Sequence, residues 1–125
     1  CHSLGLFTDD KFHNNGIDSI FSGVNLGRYN VTLNNNDIGL FKTPTLRNIE
    51  LTAPYMHDGR YQTLEQVVEF YNSGVKHSPT LDPIMTKPSK IYGLGLTQTE
   101  KQDLVAFLKT LTDTIFIHNP LLQKP

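Results

Sequence analysis

The sequence predicts a mainly α domain with long loops and little or no β. Three observations predict it. Two S/T-x-x-E/Q capping boxes each introduce an apolar run at helical spacing. Two long stretches, 14–40 and 75–96, are crowded with turn formers and helix breakers. Almost nothing in the chain reads as a strand.

The elements follow in order. Residues 1–15 mix Leu4, Leu6, Phe7 and Phe12 with His2 and His13. Residues 14–40 carry Asn14-Asn15-Gly16, Ser22-Gly23, Asn34-Asn35-Asn36-Asp37 and Gly39. Asn and Gly reach positive φ at low cost, so this stretch is expected to be mostly loop. A loop this long in a small domain is usually functional or held by a ligand. Pro44 biases Thr43 to an extended backbone, and a short helix or turn is expected over 46–50. Residues 52–59 form a second compact loop around Pro54 and Gly59. Thr63 and Gln66 make the first capping box, and Leu64, Val67, Val68 and Tyr71 share one face. A helix over 64–72 follows, stopped by Ser73-Gly74. Residues 75–96 hold Pro79, Pro83, Pro88, Gly93 and Gly95 and are expected to be loop. Thr97 and Glu100 make the second capping box, ahead of the Leu104, Val105, Leu108 and Leu111 stripe. It predicts a helix over 98–111. The tail, with Pro120 and Pro125, is expected to pack irregularly.

Composition narrows the function classes. The 125 residues suit one domain. Eleven Lys and Arg against twelve Asp and Glu give a formal charge of -1, which offers no basic excess to hold a phosphate backbone. Nucleic acid is therefore not an expected partner. No apolar run approaches a membrane span. One cysteine excludes a disulfide framework. The apolar fraction of 38% implies a lean core, which suits an interior partly filled by a large apolar cofactor.

The chemistry-bearing residues point the same way. Cys1-His2 matches the last two residues of C-x-x-C-H, the c-type haem attachment motif, in which the His binds iron. The bland alternative is a thiol beside a surface imidazole. The chain is expected to be a piece of a longer protein that starts inside the motif. The other histidines, at 13, 57, 77 and 118, form no H-E-x-x-H pair, and no second Cys could complete a zinc set. No P-loop, dinucleotide fingerprint or G-x-S-x-G is present. Candidates for a second iron ligand are Met56, Met85, His57, His77 and Tyr71. For each, ordinary core or surface packing is the competing reading. Lys42 and Arg47 flank an otherwise uncharged segment and suit haem propionates, or are simply solvated.

Several strings then fall into one pattern. They are Cys1-His2, Leu6-Phe7-Thr8-Asp9, Phe12-His13-Asn14-Asn15-Gly16 and Phe41-Lys42-Thr43-Pro44-Thr45-Leu46-Arg47-Asn48. Leu51-Thr52-Ala53-Pro54-Tyr55-Met56-His57-Asp58-Gly59, Thr63-Leu64-Glu65 and Leu94-Gly95-Leu96-Thr97 continue it, leading into 104–111. Through nearly its whole length the chain resembles the C-terminal haem domain of bacterial dihaem cytochrome c peroxidases and MauG-type enzymes.

The resemblance implies a cytochrome c-like fold over residues 1–125 and a haem c cofactor. It makes Cys1 a thioether cysteine and His2 the proximal iron ligand. Fourteen residues after His57 the peroxidases carry a Met and the MauG-type enzymes a ligating Tyr; here that place is Tyr71. Tyr71 is therefore the expected opposite ligand, with Met56 as the alternative. The family also binds calcium between its two domains, which implicates the backbone carbonyls of Thr52 and Pro54. The implied role is electron relay to a peroxide-reactive haem in an N-terminal domain of the same parent. The implied donor is a small cytochrome c or cupredoxin, the implied compartment is the periplasm, and a homodimer is allowed. Peroxidase activity would belong to the parent, and the isolated chain is expected to be inactive. A stand-alone monohaem electron carrier is the first rival, and a haem-free interaction module the second. The first attachment cysteine of the motif would lie before residue 1, so these residues are expected to supply one thioether bond, through Cys1.

Overall fold

A computed structural model describes residues 1–3, 5–86 and 93–122. Leu4, Pro88 and Pro125, named above as loop, turn or tail residues, lie outside the described residues. The structure is mostly helical, with one small sheet. Strand β1 (Phe12–His13) pairs antiparallel with β2 (Phe41–Lys42), Phe12 opposite Lys42 and His13 opposite Phe41. Helix α1 (Tyr29–Thr32) is a single turn inside the Asn- and Gly-rich stretch, between 3-10 turns at Gly23–Leu26 and Asn35–Asp37. That stretch is more structured than expected. Its Asn side chains supply the turns, as where Asn34 accepts from the Asn36 amide.

Helix α2 (Leu64–Glu69) starts at its capping box. The Gln66 amide donates to Thr63 Oγ1 at 3.3 Å, and Gln66 Oε1 accepts from the Thr63 amide at 3.2 Å. The chain does not then stop at 72 as a regular helix. It widens into a π-helical turn over Phe70–Gly74. Helix α3 (Gln98–Lys109) carries the second capping box, with the Glu100 amide on Thr97 Oγ1 and Glu100 Oε2 accepting from the Thr97 amide. It ends two residues before the expected 111. Helix α4 (Thr114–Ile117) is a single turn capped by Asp113, in a tail expected to be irregular.

Two apolar clusters organise these elements. The first packs α2 on α3 through Tyr55, Leu64, Val68, Val105 and Leu108, with Leu46, Ile49 and Leu111 around it. The second gathers Ile17, Phe70 and Val75, with Met56, Tyr61, Tyr71, Leu81 and Met85 against it. Of the five candidate second ligands, Met56, Met85 and Tyr71 pack against this cluster.

The 41–48 segment ties the chain start to the helices. Thr45 Oγ1 donates to the Leu6 carbonyl at 2.5 Å, and Thr8 Oγ1 donates to the Thr43 carbonyl at 2.8 Å. The short helical turn expected at 46–50 lies at Ile49–Leu51. Asn48 precedes it with φ +60, and its Oδ1 accepts from the Asp113 amide at 2.6 Å. The Asn48 amide donates to the Leu111 carbonyl at 3.0 Å. These bonds tie the Ile49–Leu51 turn to the 111–113 segment between α3 and α4.

Candidate haem and metal site

His2 is exposed, but its ring is oriented. Its Nδ1 lies 2.9 Å from the Phe7 carbonyl. A carbonyl can only accept, so Nδ1 carries a proton, and in the neutral ring the lone pair then sits on Nε2. That is the tautomer a metal-bound imidazole needs, with an outer hydrogen bond fixing the ring. The strained Phe7 backbone, at φ +52, presents that carbonyl. Cys1 beside it is a free, partly buried thiol.

Beyond β1 lies the Asn14-Asn15-Gly16 turn. Asn14 is 1% exposed and fully satisfied. Its Nδ2 donates to Ser78 Oγ and Thr80 Oγ1, both at 3.0 Å, and its Oδ1 accepts from the Gly16 amide at 2.9 Å. Gly16 has φ +77, and a Cβ there would meet Val75 Cγ1 at 2.7 Å and the Lys76 carbonyl at 2.9 Å. Only glycine fits this turn. Asn15 then faces the second cluster. Its Nδ2 lies 3.2 Å from Tyr71 Oη and 3.6 Å from Met56 Sδ.

Tyr71 and Met56 arrive there by different local devices. The π-helical turn carries Tyr71, edge-on to Phe70 at 4.9 Å between ring centroids. Burial pushes the Tyr71 hydroxyl above its ordinary pKa, and the Asn15 amide opposes that shift. Met56 holds φ +72 between Tyr55, bridged to Tyr61, and His57. A non-glycine residue at such an angle is uncommon and often marks a functional position.

The remaining candidates are placed as follows. His57 stacks on Phe41 at 3.8 Å and meets Asn25 Oδ1 at 3.2 Å through Nε2. Burial holds its pKa below the usual value, with Asp58 acting in opposition. Lys42 is exposed and pairs with Asp10 at 2.5 Å. Arg47 pairs with Asp113 at 2.6 Å, and its guanidinium lies 4.4 Å over the Phe116 ring. Around Arg47 a surface cleft is lined by Gly5, Leu6, Phe7 and the 110–115 segment. Thr52 and Pro54 are exposed on the loop with the cis Ala53–Pro54 bond. Among the described residues, neither of their carbonyls accepts a hydrogen bond.

Two clusters of metal-type side chains occur among the described residues. One is Cys1, Asp9 and His13, the other Asp18, His57 and Asp58. His13 already faces Asp9 and Asp82, and Arg60 fills the second cluster by pairing with Asp18 at 2.8 Å and with Asp58. From sequence, Asn14 and Asn15 read as turn formers and as part of the Phe12–Gly16 family string, with no contact assigned to either side chain. Their spacing before Gly16 signals an Asx turn, but nothing local shows what the second amide touches.

No protein-family model matches the sequence. Comparison with known proteins finds relatives all the same. Cytochrome-c peroxidase IdrP1 of Denitromonas iodatirespirans is 47% identical over 88 residues, covering 70% of this chain and 22% of the relative. Methylamine utilization protein MauG of Methylorubrum extorquens is 40% identical over 116 residues, covering 89% and 30%. Cytochrome c551 peroxidase of Nitrosomonas europaea is 38% identical over 114 residues, covering 90% and 29%. The crystal structure of a MauG-like protein associated with microbial copper homeostasis matches with a TM-score of 0.73 and 41% identity, over 91% of this chain and 38% of that one. The chain spans between 22% and 30% of the length of these three curated relatives. By sequence and backbone alike, it belongs to the cytochrome-c peroxidase and MauG family.

Proposed function

We propose that this chain is the haem c electron-transfer domain of a cytochrome c peroxidase or MauG-like oxidoreductase. The observation that carries the reading is the His2 Nδ1 bond to the Phe7 carbonyl at 2.9 Å, beside the Cys1 thiol, in a chain of this family. His2 offers Nε2 to iron, and Cys1 offers a sulfur for one thioether bond. A bound haem c would supply a one-electron ferric–ferrous couple. Tyr71 is the proposed opposite ligand, with Met56 as the alternative, and both reach the same amide of Asn15. A phenolate is a hard anionic donor, so Tyr71 would stabilise ferric iron more than a thioether would.

Lys42 and Arg47 are the proposed propionate partners. Each holds a carboxylate already, so a propionate would share or replace Asp10 or Asp113. The Thr52 and Pro54 carbonyls are the proposed calcium donors from this chain, and carbonyl oxygens suit that ion. In the parent, this domain would pass electrons from a small cytochrome c or cupredoxin to a peroxide-reactive haem in an N-terminal domain, in the periplasm. Among the described residues, no helix is long and apolar enough to cross a membrane.

The test uses the full-length parent. A pyridine haemochrome assay is expected to give two c-type haems per chain. One haem would favour the stand-alone carrier, and none would end the cytochrome reading. In the same protein, Tyr71→Phe is expected to turn a six-coordinate ferric spectrum into a five-coordinate or water-bound one. An unchanged spectrum would transfer the ligand role to Met56.

A further inference from the structure

The Asn15 amide touches both side chains that compete for the iron. Its Nδ2 is 3.2 Å from Tyr71 Oη and 3.6 Å from Met56 Sδ. The orientation of this amide is set from behind. Asn15 Oδ1 accepts from the Ile17 amide at 3.2 Å, so the two N–H groups must face the other way. The backbone beneath is clamped as well. Asn14 is buried and triply hydrogen-bonded, and the Gly16 carbonyl accepts from the Lys76 amide at 2.7 Å.

We infer that Asn15 is a positioning residue that selects Tyr71 over Met56 as the iron ligand. The inference rests on the proposed reading of Tyr71 and deepens it. An amide N–H is a strong donor to an anionic oxygen and a weak partner for a thioether. One N–H therefore stabilises the ligating form of Tyr71 and aims its oxygen. The other engages the Met56 sulfur at 3.6 Å and holds it on the amide.

The experiment compares four versions of the full-length, haem-loaded protein: wild type, Asn15→Asp, Asn15→Asp with Met56→Leu, and Tyr71→Phe. Ferric absorption, electron paramagnetic resonance and midpoint potential are read for each. Asn15→Asp keeps an acceptor for the Ile17 amide, and so keeps the turn, but removes both N–H donors. It is expected to lose the tyrosinate-to-iron charge-transfer absorption and to raise the potential, towards thioether ligation. Adding Met56→Leu is then expected to give a five-coordinate or water-bound spectrum. If Asn15→Asp fails to load haem, Asn15→Ser carries the test. A serine hydroxyl keeps the turn acceptor but is too short to reach Tyr71, and the expected loss is the same. Retention of the tyrosinate signature in the folded variant would overturn the role of Asn15 and leave that of Tyr71 standing. A Tyr71→Phe protein with the wild-type signature would overturn both.

Discussion

His13 holds the start of the chain to the 78–86 loop through two carboxylates. Its Nε2 is 2.8 Å from Asp9 Oδ2, and its Nδ1 bonds Asp82 Oδ2. A neutral imidazole can donate from only one nitrogen, so this arrangement selects the imidazolium. Burial works against the charge, but the bonds to Asp82 and Asp9 outweigh it and raise the His13 pKa above 6.5. Burial would also raise Asp9 and Asp82. The His13 contact, with the amides of Lys11 and Ile84, holds both below the ordinary 3.8 instead. Just above pH 6.5 the folded state therefore binds a proton that the unfolded chain has lost, and stability falls as pH rises through the folded His13 pKa. On the acid side the sign reverses, and stability falls as the two carboxylates are forced to protonate below pH 3.8. The melting temperature is expected to be highest between these limits. His13→Gln is expected to flatten the alkaline arm and to weaken the acid one as well, since the His13 contact holds both carboxylates down. An alkaline arm unchanged in that variant would remove His13 from the account. His13 was legible in the sequence as a histidine without a metal motif. Its partner Asp82 is far along the chain, and no local pattern names it.

At the scale of elements, the two capping boxes were readable because each is a four-residue device closed by its own side chains. Thr97→Ala is expected to cost about 1 kcal/mol of stability, the usual loss for such a cap, seen as a lower urea midpoint. The ligand spectrum of the loaded parent is expected to stay unchanged, since no proposed ligand lies on α3. A spectral change would show that α3 reaches the iron site after all. The π-helical turn at the end of α2 was not readable. The apolar spacing of Leu64, Val67, Val68 and Tyr71 suits an ordinary helix face. In the structure Leu64, Val68 and Phe70 are the buried residues, and Tyr71 turns to the second cluster. Hydrogen bonds from outside the helix meet this turn. The Leu94 amide donates to the Asn72 carbonyl at 3.1 Å, and the Leu96 amide donates to Asn72 Oδ1 at 2.6 Å. Gly93 makes this approach possible, because a Cβ there would sit 1.9 Å from the Asn72 carbonyl oxygen. π turns are frequent at functional sites, and this one carries Tyr71.

At the scale of the whole molecule, the chain aligns with only part of each relative's length. It matches 22% to 38% of the relatives' lengths. The calcium reading is tested at this scale. If the Thr52 and Pro54 carbonyls hold an ion together with the rest of the parent, chelation of the full-length protein is expected to lower its melting temperature. Restoring calcium is expected to recover it, since an ion bound only by the folded state stabilises that state. A melting temperature indifferent to chelator would discard these carbonyls as ligands. By itself the sequence determined the helical class, both capped helices, the loop-rich character of 14–40 and the family, because caps, turns and motif strings are written in neighbouring residues. The tertiary structure alone decided where the side chains meet: the Phe7 carbonyl on His2, the two aspartates on His13, and one amide between Tyr71 and Met56. Those encounters join residues far apart in the chain, and only packing brings their hydrogen bonds within reach.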